Sequence, residues 1–162
     1  MQVKQADILY QLDKTFISQL IASGSKSTYA EGTILFNQND PAEQFFILLK
    51  GRVRVSIGDL PKTSYIVNHG GEAFGWSALT GRYVYSASAT CISTSTLIAF
   101  DRYRIEKILD QHPKNAAMFY KNLALTLGNR LTQVSTHLGD HLADEDVITY
   151  GTGQVQEMAE IA

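Results

Sequence analysis

The sequence predicts a mainly β fold with flanking helices, of the α+β class: an antiparallel β-roll or jelly roll between an N-terminal helix and a long C-terminal helix. Three observations carry this. Short apolar runs separated by turn residues fill 27–100, the pattern of an antiparallel sandwich or roll. Helically spaced apolar residues precede that region, and a sustained heptad follows it. No repeat or linker divides the chain, so a single domain is expected in four segments: a helical 1–26, a β-roll over 27–100, helices over 101–138 and an acidic tail over 139–162.

The elements follow in order. Ile8, Leu9, Leu12, Phe16, Ile17, Leu20 and Ile21 make one apolar stripe on a helix over 6–23, with a break expected near Asp13 and a stop at Gly24. Thr33 to Phe36 and Gln44 to Leu49 read as strands around the turn Asn37–Pro41. Val53, Val55 and Ile57 alternate with Arg54 and Ser56, a half-buried strand, and Gly58 to Pro61 turns the chain into Ser64–Val67. Tyr85 to Ile92 and Thr96 to Phe100 complete the strands. Asp101 reads as the N-cap of a helix over 102–111, and Pro113 as the first residue of a longer one reaching about Leu138. On that last helix Ala117, Tyr120, Ala124, Leu127, Leu131, Val134 and Leu138 follow a 3,4 spacing, the seam of a coiled coil. Phe119, Leu123 and Met118 form a second stripe, better placed to lie on the chain's own sheet. A parallel homodimer through the first stripe is therefore expected.

Composition narrows the function. At 44% apolar and 19% charged residues the chain reads as soluble and globular. A net charge of −2 with no basic run argues against a nucleic-acid surface, so no DNA partner is expected. A lone cysteine, Cys91, fits a reducing cytosol, and no stretch approaches the length of a membrane helix, so the expected location is cytoplasmic. His137 and His141 stand four apart near Asp140 and Asp144, a metal-like spacing, but they sit where the helix should end and read as solvated. Ser77 has no histidine placed to activate it; His69 lies in a turn. Neither a metal nor an enzyme is expected.

The densest stretch is Gly70 to Ala89. It offers glycine turns, a short helical turn opening after Gly75, and small residues beyond, a weak anion cradle by chemistry alone. Phe74-Gly75-Trp76-Ser77-Ala78-Leu79, then Tyr85-Ser86-Ala87-Ser88-Ala89 after five residues, resembles the phosphate-binding cassette of the cyclic nucleotide-binding domain family: Phe-Gly-Glu-x-Ala-Leu, a short loop, then Arg-(Ser/Thr)-Ala-x-Val. Gly32 with Ile34–Phe36, Asn39-Asp40, and Phe46–Leu48 running into Gly51–Val55 resemble that family's glycine-punctuated strands.

The resemblance implies a sensor of cyclic AMP, cyclic GMP or another small anionic or aromatic ligand, through Phe74 to Leu79, Arg82 and Tyr85 to Ala87. In the family the cassette glutamate binds the ribose 2′-hydroxyl and the arginine pairs with the cyclic phosphate. Their positions here hold Trp76 and Tyr85. A charged hydrogen bond is worth about 1.5–3 kcal/mol, so two losses weaken binding about 10²–10⁴-fold unless replaced. Arg82 is either a solvated loop residue or a replacement cation; Trp76 either stacks on a planar ligand or fills the pocket; Tyr85 is able to donate a hydrogen bond but brings no charge. Related bacterial regulators pair through a long helix at this position and carry a helix-turn-helix domain after it. Here 139–162 holds six acids and no lysine or arginine, so a stand-alone form is expected. Two functions remain open: a homodimeric ligand sensor signalling to an effector protein, or a ligand-free interaction module plugged by Trp76.

Overall fold

The computed structural model describes residues 7–58 and 64–139, with side chains described as far as Gln133. The acidic tail, His141 and most of the turn after Gly58 lie outside the described residues, as do the side chains of His137, Val134 and Leu138. A 3₁₀ turn at Asp7–Leu9 leads into α1 (Lys14–Ser23). The strands are β1 (Ser25–Tyr29), β2 (Ile34–Phe36), β3 (Gln44–Lys50), β4 (Val53–Ser56), β5 (Ser64–Val67), β6 (Ala73–Phe74), β7 (Ser88–Cys91) and β8 (Ser95–Asp101). A 3₁₀ turn, Trp76–Leu79, separates β6 from β7, and α2 (Arg102–Gln111) and α3 (Pro113–Gly139) follow β8.

The strands form two antiparallel sheets, β1-β8-β3-β6 and β2-β7-β4-β5, as the turn-separated apolar runs predict. The sheets differ in pattern because they differ in cover. In β4, Val53 and Val55 are buried while Arg54 is exposed, so one face meets solvent. In β3, Phe45, Phe46, Ile47 and Leu48 are all buried. Phe46 stacks on Phe36 of the second sheet, and its neighbour Phe45, pointing to the other face, lies beside Phe100. Helices cover that other face: a Cβ on Gly24, just after α1, would collide with Ile98 and Phe100 of β8.

The helical stop at Asp13 falls where the sequence expects a break. Asp13 is extended (φ −63°, ψ 138°) and stands at the N-cap position of α1, its side chain making no cap bond to the helix. Its N–H donates to Asn115 Oδ1 (3.0 Å), and Asn115 Nδ2 donates back to Asp13 Oδ2 (2.9 Å). Nearby, buried Asn122 of α3 donates from Nδ2 to the Ile8 and Tyr10 carbonyls (3.2 and 2.7 Å). These bonds satisfy carbonyls that the short 3₁₀ turn leaves open. Phe119 and Leu123 are buried, whereas Ala117, Tyr120 and Ala124 are exposed and Leu127 is half-buried. The chain divides into two units at Leu127/Gly128; in the second, Leu131 is exposed.

Two expected boundaries shift. The strand expected to begin at Tyr85 begins at Ser88. The residues before it pair elsewhere: Ala42 N–H donates to Tyr83 O, Tyr85 N–H to Asp40 O and Asn39 N–H to Tyr85 O, each at 2.9 Å. β1 begins at Ser25, and its polar Ser-Lys-Ser-Thr-Tyr is held by backbone pairing with β8 rather than by apolar alternation.

Candidate functional site

The cassette is built on a glycine in left-handed conformation. Gly75 (φ 81°, ψ 31°) ends β6 and opens the 3₁₀ turn, and a Cβ there would stand 3.1 Å from the Gln44 carbonyl oxygen and 3.2 Å from Phe46 Cδ2. Only glycine allows both the angle and the approach. The turn buries Ser77, Ala78 and Leu79 against the roll, with Phe74 fully buried before it. The two halves of the cassette meet through hydroxyls: Ser86 N–H donates to Ser77 Oγ at 3.3 Å, and the two Oγ atoms stand 3.5 Å apart. Ala87 and Ala89 are buried beside them; Arg82 is exposed.

Tyr85, at the arginine position, is occupied within the fold. Its ring stacks on Phe36 at 3.8 Å between centroids, nearly parallel at 13°. Its hydroxyl donates to the Gln44 carbonyl (2.6 Å) and accepts from the Gln44 N–H (3.0 Å). The phenol's one proton is thereby used, so the hydrogen bond expected from Tyr85 to an anion is not offered in this arrangement. Burial pushes its pKa above the ordinary tyrosine value; the Gln44 bond offsets part of that, and the nearby Glu43 and Asp40 carboxylates raise it further. Phe36, Phe46, Phe74 and Tyr85 form one aromatic layer inside the roll.

Trp76 lies elsewhere. Its ring is 5.5 Å from Phe45, on the helix-bearing side of β3, and it is half-buried. Phe36, Phe46, Phe74 and Tyr85 fill the interior; the alternative in which Trp76 plugs it requires full burial, and Trp76 is half-buried. Trp76 packs beside Phe45, and Tyr85 beside Phe36, which stacks on Phe46, so the two positions lie on opposite sides of β3.

Arg102, the first residue of α2, also touches the cassette. Its Nη1 donates to the Arg82 carbonyl (3.0 Å), its Nε to Glu106 Oε1 (3.0 Å), and its guanidinium lies 5.6 Å from the centre of the Tyr83 ring. Its backbone N–H donates to the Glu43 carbonyl (2.8 Å). Neither Arg102 nor Gln44 stands out in the sequence; the one signal is the i,i+4 pairing of Arg102 with Glu106. Among the described residues no cluster of three His, Cys, Asp or Glu side chains is able to hold a metal, and no helix is long and apolar enough to cross a membrane.

Comparisons with known proteins agree with this geometry. The cyclic nucleotide-binding domain family matches residues 26–112. A cAMP-dependent protein kinase regulatory subunit of Dictyostelium discoideum is 26% identical over 111 residues, which are 65% of this chain and 34% of that protein. Glutaminase 1 of Bradyrhizobium diazoefficiens is 28% identical over 134 residues, 80% of this chain and 21% of that protein. This chain therefore spans only 34% and 21% of those relatives' lengths. The Thermus thermophilus catabolite activator protein superposes with a TM-score of 0.66 at 22% identity, covering 83% of this chain and 62% of that one. The glycine-framed cassette on a two-sheet roll and the family match over more than half the chain give one assignment: the chain belongs to the cyclic nucleotide-binding domain family.

Proposed function

We propose that the chain is a ligand-sensing regulatory module without catalysis of its own, whose cassette takes a small aromatic or anionic ligand other than an ordinary cyclic mononucleotide, and which signals to an effector protein as a homodimer. The observation that carries this is Tyr85. Where the family's phosphate-pairing cation belongs, a neutral ring is stacked on Phe36 and hydrogen-bonded to Gln44. Calorimetric titration with cyclic AMP, cyclic GMP and cyclic dinucleotides tests it. The mononucleotides are expected to bind about 10²–10⁴-fold more weakly than they bind a cassette with both anchors. Micromolar binding of either, abolished by Arg82→Ala, would show a rebuilt anchor and overturn the proposal.

The same aromatic layer favours a second reading, a ligand-free interaction module in which Phe36 and Tyr85, rather than Trp76, close the interior. Thermal-shift screening with nucleotides and aromatic acids separates the two, since a ligand that binds only the folded state raises the melting temperature.

Exposure of Ala117, Tyr120 and Ala124 beside a buried Phe119–Leu123 stripe supports pairing through the seam, and in the second unit Leu131 is exposed too. Leu131→Glu, which places like charges across that seam, is expected to convert the dimer to monomer in light scattering while leaving the circular dichroism of the roll unchanged. A wild-type chain that is already monomeric at tens of micromolar would remove dimerisation from the proposal.

A further inference from the structure

We propose that Arg102 is a positioning residue that couples the cassette loop to helix α2; the inference rests on the regulatory reading and supplies its mechanical link. Three separate pieces of chain meet at this residue. The loop reaches it through the Arg82 carbonyl and the face of Tyr83, the start of β3 through the Glu43 carbonyl, and α2 through Glu106 one turn on. The neighbouring contacts close the circuit. Gln44, held twice by the Tyr85 hydroxyl, is paired in register with Asp101, and Asp101 caps α2 by accepting from the Arg104 N–H (3.0 Å).

A hydrogen bond tolerates only a few tenths of an ångström before it weakens steeply. The start of α2 therefore cannot shift against the loop without breaking the Arg102–Arg82 bond or carrying the loop along. The guanidinium fork serves Arg82 O and Glu106 together while its flat face covers Tyr83; a lysine ammonium, a single point of charge, reaches one of them at a time. The side chain is 25% exposed and lies outside the buried apolar cluster.

Residue-resolved hydrogen exchange on the full chain, without ligand, tests the coupling. Arg102→Ala and Arg102→Lys are each expected to speed exchange about tenfold at the loop-side amides of Ala42 and Tyr85 and at Arg104, with the central amides of β3 and β8 unchanged. Gly81→Ala strains the loop directly, because Gly81 has φ 74° with open space around it. In the wild-type background that strain should also speed exchange at Arg104; in the Arg102→Ala background it should stay within the loop. If Gly81→Ala disturbs Arg104 equally in both backgrounds, or if Arg102→Ala frays α2 while the loop amides keep their protection, the coupling role is overturned. The readout needs no ligand, so a chain that binds nothing defeats the sensor reading without touching this result.

Discussion

Tyr85→Ala is expected to cost about 3–5 kcal/mol of folding stability, the range for deleting a buried aromatic ring from a packed layer. The ring stacks on Phe36 at 3.8 Å between centroids, and its removal leaves a cavity beside Phe36 inside the roll. Tyr85→Phe keeps the ring and removes only the hydroxyl. It leaves the Gln44 N–H and carbonyl without that partner and should cost about 1–3 kcal/mol. Urea denaturation of both variants separates ring from hydroxyl; equal losses would mean that the Gln44 bonds carry the effect. The alkaline limb gives a third reading. The folded pKa of Tyr85 lies above the unfolded value, so its stabilising effect is complete below the ordinary tyrosine pKa of about 10 and falls as pH rises through the folded value. Tyr85→Phe should flatten the stability profile there. A larger expectation follows for ligands: Tyr85→Ala, if it folds, opens space for neutral aromatic compounds but restores no cation, so cyclic AMP affinity should not rise.

Gly51→Ala should destabilise the domain by about 2–6 kcal/mol, combining left-handed backbone strain with overpacking. Gly51 has φ 108°, and a Cβ there would stand 2.6 Å from Ser95 Cα, a backbone atom that cannot swing aside. Ser95 is itself fully buried, accepting from the Arg52 N–H at 3.1 Å and donating to the Ser93 carbonyl at 2.8 Å, so the hairpin after β3 and the start of β8 are knotted at one point. Gly58→Ala is the control. Gly58 has φ 63° but nothing within 4 Å of the added atom, so it bears the strain alone and should cost about 1–2 kcal/mol. Similar losses at the two positions would remove the clash from the explanation.

Much of the architecture is legible because its signals are local. Asp101 followed by Ile105, Ile108 and Leu109 announces a capped amphipathic helix, and α2 begins at Arg102. Val53-Arg54-Val55 alternates because its sheet has one wet face. β1 escapes such reading: Ser25 to Tyr29 is an edge strand whose residues are mostly exposed, and only its ladder to β8 makes it a strand. At the site, the cassette glycine and the buried Ser77, Ala78 and Leu79 follow from a motif. The direction of a side chain after a left-handed glycine does not: the motif leaves Trp76 open to stacking on a ligand or filling the interior, and its ring stands beside Phe45. Tyr85 illustrates the same limit from another side, since its partner Gln44 is 41 residues away and nothing local marks the pair. Arg102 engages a carbonyl 20 residues back, a group that every residue carries and that no sequence pattern distinguishes.

The Asn122 side chain that holds the Ile8 and Tyr10 carbonyls also sets an order of assembly during synthesis. Tyr10 and Asn122 are 112 residues apart, and ribosomes add about 5–20 residues per second, so the N-terminal segment waits roughly 6–22 s for its partner to be made. β1 likewise has no strand to join until β8 has left the exit tunnel. The segment through α1 is thus made well before it can dock, and Phe16, whose ring meets that of His112, stays uncovered until that residue has been made.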